Sequence, residues 1–346
     1  MTERIEFAAA MKGQADSLRT AESALTGALD AVDLPPWRSG ETVAIVAMGA
    51  STHSAESFVA VLRRAGVRVV NLTASDLENI PDGHQPADHY VFVSESGRSP
   101  EPIRAAERST PGRRIAITNN ETSPLTEVVD FVLPFGGIDD SRVYTTGYTA
   151  TLLAYDLLAR RQLGRERAPQ PFDVAGLVDS SMTAYAGEAA EAAELIAGAT
   201  SCDLAGRDVS LAAASEGALI LREAARMPAT AYETYQYLHG PMESLTAGSA
   251  VIVFGDGREL SMASSIVHRS VPTVLVSRAP AGDLLRLADE SLRVIRLPGD
   301  VTGFGRAIAE TVVAQLVVAG VATLRGSDID EFLFEQPDTK LALSDG

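Results

Sequence analysis

The sequence predicts an α/β protein of two domains, each a parallel sheet flanked by helices. In both halves of the 346-residue chain, short apolar runs of strand length alternate with longer stretches of helical periodicity. A polar, proline-bearing segment at 163–171 separates the halves, and the alternation restarts after it. The halves share a plan but not a sequence, so a loose internal duplication is expected.

The first half is expected to place five strands behind a helical N-terminal segment. Residues 1–31 carry apolar side chains at helical spacing and precede a Pro-Pro linker. The strands are predicted at 42–48, 67–72, 87–93, 114–119 and 131–134, and the main helices at about 55–64 and 146–161. The N-terminal segment is taken to end at residue 40, and the first domain to cover 41–165.

The second half is expected to repeat this pattern over 166–325, with a tail at 326–346. Its helices are predicted at about 178–197, 210–226 and 311–324, and its strands at 201–205, 250–254, 273–276 and 294–297. Residues 326–346 show no clear periodicity. The tail is therefore expected to be irregular.

The amino-acid composition excludes several classes of function. An apolar fraction of 46% suffices for a packed core. The net charge of −17 disfavours nucleic acid and anionic membranes as partners, so an anionic small molecule would need local donors. Cys202 is the single cysteine, which excludes an internal disulfide. The five histidines do not show the spacing typical of metal ligands, so no metal or cofactor is expected. No signal-like start and no run of about 18–20 apolar residues is recognised, which makes cytoplasm the expected location.

The most distinctive loop is Ser94-Glu95-Ser96-Gly97-Arg98-Ser99, followed by Pro100. It lies between a predicted strand and a helix start. Hydroxyls and backbone N–H groups at such a junction favour an anion such as phosphate, and a first-turn proline gives up no needed donor. The loop is neither a P-loop nor a dinucleotide-binding GxGxxG motif. The alternative interpretation is a serine-rich turn with an ordinary helix cap.

Two further turns in the first half carry hydroxyls at strand or helix ends. Gly49-Ala50-Ser51 follows the first strand, at the edge where ligands bind in open α/β sheets. Val143-Tyr144-Thr145 precedes the closing helix. Either turn could bind a ligand or only cap its helix.

Acid–base chemistry is suggested by the second half. Glu216 and Glu223 are seven residues apart and therefore share a helix face, and His239 precedes a Gly-Pro turn. If a glutamate carboxylate and the His239 imidazole lie at one site, they could act as base and acid in proton transfer at a carbon next to a carbonyl. A solvated helix face and a structural histidine are the alternatives.

Together these motifs resemble the double SIS (sugar isomerase) domain family. The match consists of Gly-x-Ser at 49–51, Ser-x-Ser-Gly-x-Ser at 94–99, Val-x-Thr-Thr at 143–146, Glu-Gly-Ala-Leu-x-Leu-x-Glu at 216–223, and His-Gly-Pro at 239–241. It is similar to the isomerase half of glucosamine-6-phosphate synthase and to phosphosugar isomerases and deaminases, over residues 41–341. The resemblance implies two flavodoxin-like SIS domains in a homodimer.

The resemblance also implies residue roles. Phosphate is expected at Ser94, Ser96, Ser99 and the Gly97 amide, and the sugar at Ser51, Val143 and Thr145. Glu223 is expected to move a proton between C1 and C2, and His239 to assist ring opening. Lys340, in the tail, is expected to close over the sugar and to form an imine with its open-chain carbonyl.

The resemblance leaves three functions open. Ile220 stands where the synthase often has lysine, and Thr2 stands where its glutaminase has the nucleophilic cysteine, so no glutamine-derived ammonia is expected. The leading hypothesis is an aminosugar-phosphate deaminase or isomerase, or a fructosamine-phosphate deglycase. The alternatives are a plain aldose–ketose phosphosugar isomerase and a non-catalytic sugar-phosphate sensor.

Overall fold

The computed structural model describes residues 4–164, 166–334, 336 and 339–341, and it divides them between two compact units. Unit 1 contains the described residues of Met1–Pro171 and Leu333–Gly346, and unit 2 is Phe172–Phe332. The predicted domain boundary at residue 165 lies outside the described residues, as do residues 337 and 338 of the tail. The described residues of the tail from 333 onward thus belong to unit 1.

Unit 1 is built on a five-stranded parallel sheet in the order β2-β1-β3-β4-β5. The strands are β1 (Thr42–Ala47), β2 (Arg68–Thr73), β3 (His89–Val93), β4 (Arg114–Thr118) and β5 (Phe131–Pro134). The helices are α1 (Phe7–Ala31), α2 (Ala50–Arg64), α3 (Pro100–Arg108), α4 (Pro124–Glu127) and α5 (Thr146–Gln162), with a 3₁₀ turn at Ala74–Asn79. The N-terminal segment forms one helix, which packs on α5.

The register of this sheet places three loops at one edge. Ala47 of β1 pairs with Val93 of β3, and Val93 pairs with Ile117 of β4. The order changes direction between β1 and β3, which is the switch point where ligands bind in doubly wound sheets. The turn at 49–51 and the loop at 94–99 therefore both begin at this point.

Unit 2 repeats the same topology, with strand order β10-β9-β8-β6-β7, all parallel. Its strands are β6 (Ser201–Gly206), β7 (Ala229–Glu233), β8 (Ser249–Phe254), β9 (Thr273–Ser277) and β10 (Leu292–Arg296). Its helices are α6 (Val174–Ala184), α7 (Ala186–Ile196), α8 (Ser210–Ala225), α9 (Thr234–Leu238), α10 (Arg258–Val267), α11 (Ala281–Leu285) and α12 (Gly303–Arg325). The predicted duplication of the fold is confirmed.

Several elements of unit 2 differ from the sequence prediction. The helix expected at 178–197 is two helices that meet at Tyr185. The break was not predicted because the alanine-rich sequence carries no clear stop signal at this point. The short strand β7 and the helices α9, α10 and α11 were not predicted. The last helix begins at Gly303 and not at 311, because its first turns already pack in the core.

Helix α12 also corrects the statement that no apolar run approaches the length of a membrane span. By length and composition alone it could cross a membrane, with a mean hydropathy of 1.9 over its 18-residue window. Within the protein, 72% of that window is buried, and the helix packs on α7 and α8. Burial of this kind is typical of a helix at the centre of a globular unit.

One buried acid makes the stability of unit 1 depend on pH. Asp156 on α5 is fully buried beside Arg160, and burial raises the pKa of its carboxyl from 3.8 to about 7 although Arg160 opposes the shift. The pKa of Asp156 is higher in the folded state than in the unfolded state, so the protonated carboxyl stabilises the folded protein. This stabilisation is complete below the unfolded-state pKa and is lost as the pH rises through the folded-state value of about 7. We expect wild type to lose about 2–3 kcal/mol relative to Asp156→Asn between pH 5 and pH 8.

Urea denaturation of both proteins at pH 5, 6, 7 and 8 measures this difference. Asp16→Asn is the matched control, because Asp16 also pairs with a nearby arginine on a helix but is exposed. A wild type and an Asp156→Asn variant with parallel pH profiles would contradict the prediction.

Candidate functional site

The loop at 94–99 makes a compact turn between β3 and α3. The Ser94 N–H donates to the Ile117 carbonyl at 3.1 Å, and the Gly97 N–H donates to the Ser94 carbonyl at 3.0 Å. The Arg98 N–H lies 3.3 Å from Ser96 Oγ. Ser99 is the N-cap residue of α3, yet its side chain makes no cap hydrogen bond, and Pro100 is the first helical residue. The Ser99 hydroxyl is therefore not used as an ordinary cap.

Gly97 is required at its position for two reasons. Its φ is +63°, in the left-handed region that favours glycine. A Cβ added there would lie 2.0 Å from Ser123 Oγ and 2.5 Å from Ser123 Cβ, and Ser123 is fully buried. The loop thus packs against the start of α4 without room for a side chain. The Gly97 N–H is already bonded within the loop, and its predicted contact with phosphate stays a prediction.

Neighbouring turns hold this loop in one conformation. The Asn119 N–H donates to the Glu95 carbonyl at 2.9 Å, and Thr118 Oγ1 donates to the same oxygen at 3.1 Å. The Leu125 N–H donates to the Gly97 carbonyl at 3.0 Å. Because these bonds come from β4 and α4, the loop is shaped before any ligand arrives, which lowers the cost of binding.

Ser51 lies just after β1, at the switch point of the sheet. It is in the first turn of α2, after Gly49, whose φ of +55° allows the chain to turn sharply from β1 into the helix. Its carbonyl accepts a hydrogen bond from Ser54 Oγ at 2.8 Å. The side chain is largely buried, with 7% exposure. Its predicted contact with a sugar stays a prediction.

Val143 and Thr145 are buried within a polar network. Thr145 Oγ1 donates to the Val143 carbonyl at 2.7 Å, and Thr145 has no exposed surface. The Asp140 carboxylate accepts backbone N–H groups at the start of α5, including those of Thr146 at 3.0 Å and Gly147 at 2.8 Å. In this structure Thr145 therefore helps to shape the helix start, and its predicted contact with a ligand stays a prediction.

Asp140 was not identified by sequence analysis. Burial raises the pKa of its carboxyl from 3.8 to about 6, even though the backbone amides of α5 favour its charged form. An Asp a few residues before a helix is too common a pattern to have marked it. Its role in the structure is to tie the loop at 140–145 to α5.

Glu95 connects the loop to the N-terminal segment. Arg4 pairs with its carboxylate at 2.9 Å and also donates to the Ser141 carbonyl at 2.9 Å. Asn119 Nδ2 donates to the other carboxylate oxygen of Glu95 at 3.3 Å. Sequence analysis missed this pair, because the two residues are 91 positions apart.

The tail brings Lys340 to the same loop. The Leu341 N–H donates to the Arg98 carbonyl at 2.9 Å, and Arg98 Nε donates to the Leu341 carbonyl at 2.7 Å. Desolvation, together with the positive charges of Arg4, Arg98 and Arg142, lowers the pKa of Lys340, and Glu95 opposes this shift. The only lysine that the sequence offered for the site thus lies beside the predicted phosphate loop.

Glu223 lies in unit 2, near the end of α8. Its neighbours Leu221 and Ala224 are buried, whereas Glu223 is partly exposed. Arg222 anchors this end of the helix by donating to the Ala229 carbonyl at 2.6 Å. Glu216, two turns earlier, is fully buried, so the interpretation of this glutamate as part of a solvated face is wrong.

His239 follows α9 directly and is exposed. Its N–H donates to the Gln236 carbonyl at 3.1 Å, and Gly240 after it has a φ of +141°. At the other end of α9, the Glu233 carboxylate accepts the N–H groups of Tyr235 and Gln236. The turn thus presents the His239 ring to solvent.

Within the described residues, no group of three or more His, Cys, Asp or Glu side chains could hold a metal ion.

Comparison with known proteins identifies the family. Residues 195–325, in unit 2, match the family described as "SIS domain". Unit 2 therefore contains a SIS domain. Unit 1 of this SIS protein has the same strand topology, and its serine loop is the motif that resembles the family's phosphate-binding loop.

Relatives of the SIS protein agree with this identification. The chain is 29% identical over 348 residues to a glutamine–fructose-6-phosphate aminotransferase (isomerizing) of Symbiobacterium thermophilum, covering 90% of this chain and 56% of that protein. It therefore spans little more than half the length of this curated relative.

Solved structures share the fold of the SIS protein. The C-terminal domain of the glucosamine-fructose-6-phosphate aminotransferase of Francisella tularensis superimposes with a TM-score of 0.74 at 18% identity, covering 91% of this chain and 96% of that one. A glucosamine-6-phosphate deaminase of Thermotoga maritima gives 0.65 at 20% identity, with 92% and 96% coverage. At these identities the likeness shows two SIS-type α/β units and no particular activity.

Proposed function

We propose that this SIS protein is an enzyme that opens the ring of an aminosugar 6-phosphate, moves a proton between C1 and C2, and releases the amine. The observation that carries the proposal is the preformed loop around Gly97 with the tail lysine beside it. Hydrogen bonds and packing hold the loop in one conformation, and Lys340 is an amine with a lowered pKa next to it. Hydroxyls at a helix start favour an anion, which supports the loop as the phosphate site. A binding module would need the loop alone.

The proposed chemistry assigns a task to each group. Ser94, Ser96 and Ser99 bind the phosphate, which holds the sugar chain by one end. His239 transfers the proton that opens the ring. Glu223 then removes the C2 proton of the open-chain 2-amino aldose and returns it at C1, which leaves an imine at C2. Water hydrolyses that imine to a ketose phosphate and ammonia.

A fructosamine phosphate would follow the same steps in the opposite sense. Glu223 would remove the proton at C1 and return it at C2, so that the imine forms at C1. Hydrolysis would then release an aldose phosphate and the amine. The similarity to aminotransferases whose name includes fructose 6-phosphate supports a substrate of this class.

A two-channel assay tests the proposal. The protein is incubated separately with glucosamine 6-phosphate, a fructosamine 6-phosphate and fructose 6-phosphate, and released amine and aldose–ketose conversion are measured independently. We expect amine release from one of the first two substrates. Conversion of fructose 6-phosphate without amine release from either nitrogen-bearing sugar would show a plain isomerase. Thermal stabilisation by these ligands without turnover would show a sensor.

A further inference from the structure

The contact between the loop and the tail is reciprocal. Arg98, which lies between Gly97 and Ser99, accepts the Leu341 N–H with its carbonyl and donates two guanidinium N–H groups to the Leu341 carbonyl. The Leu341 side chain is 41% exposed, so the attachment depends on its backbone. We call these bonds the Arg98 clamp. Since Leu341 directly follows Lys340, the clamp sets the distance between the lysine and the loop.

Charges on the loop itself and on two other segments also act on Lys340. Arg4 comes from the N-terminal segment, Glu95 from the loop, and Arg142 from the loop before α5. Arg4 and Glu95 pair with each other, so Glu95 is partly neutralised. The amine therefore lies in mainly positive surroundings, which increase its neutral fraction, the nucleophilic form.

We propose that Arg98 is a positioning residue, which fastens the tail to the loop so that the Lys340 amine lies beside the carbonyl of a phosphate-bearing compound bound there. This inference rests on the proposed phosphate site but not on turnover. Two donors on one rigid guanidinium fix the orientation of the tail, whereas a lone lysine donor would not. Placing an amine beside a bound carbonyl raises its effective concentration.

A phosphate-bearing aldehyde can report on this placement. Pyridoxal 5′-phosphate is the probe, and borohydride is the reductant. The neutral Lys340 Nζ adds to the aldehyde carbon, water leaves as the imine forms, and hydride from borohydride reduces the C=N bond to a stable secondary amine. The sequence contains two lysines, Lys12 and Lys340, so the exposed Lys12 on α1 is an internal control for amine reactivity.

Peptide mapping by mass spectrometry gives the ratio of Lys340 to Lys12 labelling. With the phosphate-bearing probe we expect a ratio of about ten or more in wild type, falling towards one with unphosphorylated pyridoxal. A wild-type ratio near one for both probes would overturn the inference. Since the readout needs no catalysis, a protein that labels Lys340 selectively but releases no amine would refute the proposed function and retain the clamp.

Matched variants separate the clamp from simple charge. Arg98→Ala and Leu341→Pro, which removes the N–H donor, are expected to lower the ratio about tenfold. Arg142→Ala removes a positive charge near Lys340 and leaves the clamp intact, so it is expected to lower the ratio by much less than Arg98→Ala. Leu341→Ala keeps the backbone donor and is expected to retain the wild-type ratio. An Arg142→Ala loss equal to that of Arg98→Ala would show that charge, and not positioning, controls Lys340.

Discussion

Gly97→Ala is expected to weaken phosphosugar binding about 100-fold or more, which corresponds to about 2.7 kcal/mol. An alanine Cβ would overlap Ser123, whose side chain is fully buried at the start of α4. The loop would have to move away from α4, and the Ser94, Ser96 and Ser99 hydroxyls would move with it. The loss should therefore exceed what the positive φ alone would cause.

Isothermal titration with fructose 6-phosphate and with inorganic phosphate measures this effect. Gly66→Ala is the matched control, because Gly66 has a φ of +77° but no atom within 4 Å of the added Cβ. In both variants the positive φ destabilises the folded state by about 1 kcal/mol, and only in Gly97→Ala does the added Cβ also overlap Ser123. Wild-type affinity in Gly97→Ala, or equal losses in both variants, would exclude the loop as the phosphate site.

Glu223→Gln is expected to lower turnover about 10³-fold while phosphosugar binding changes little. Glutamine keeps the size of the side chain and its ability to accept a hydrogen bond, but its amide cannot take up a proton from carbon. Because Glu223 is partly exposed at the end of α8, the substitution should not disturb the core. The effect should therefore appear in kcat and not in the dissociation constant.

Initial rates on the substrate found by the two-channel assay, with binding followed by thermal shift, measure both quantities. Glu194→Gln is the matched control, since Glu194 is an exposed glutamate on helix α7. Turnover that is unchanged in Glu223→Gln would remove this residue from the mechanism. A parallel loss of binding and turnover would show that it shapes the structure.

Local patterns in the sequence were sufficient to predict the fold class and the position of the main loop. Apolar runs such as Tyr90-Val91-Phe92-Val93 are buried as β3, and the loop at 94–99 follows it directly. Strand, turn and helix start are neighbours along the chain, so their order is readable without tertiary information. The repeat of the pattern in the second half likewise indicated a second unit of the same plan.

Less regular elements could not be predicted in this way. The edge strand β7 is short and only partly buried, so its apolar signal is weak. The break between α6 and α7 falls in a run of alanines whose periodicity continues across it. In both cases packing against the rest of unit 2 decides the structure, and local propensity is too weak to reveal it.

By itself, the sequence determined the two-unit α/β plan, the hydroxyl loop and the identity of the one lysine available near the tail. Only the tertiary structure decided that Ser123 closes the space beside Gly97, that Arg4 pairs with Glu95, and that Arg98 clamps Leu341, 243 positions away. The physical reason is that hydrogen bonds and steric contacts act over a few ångströms in space. Which residues come within that distance depends on how the whole chain folds, and it cannot be read from their separation along the sequence.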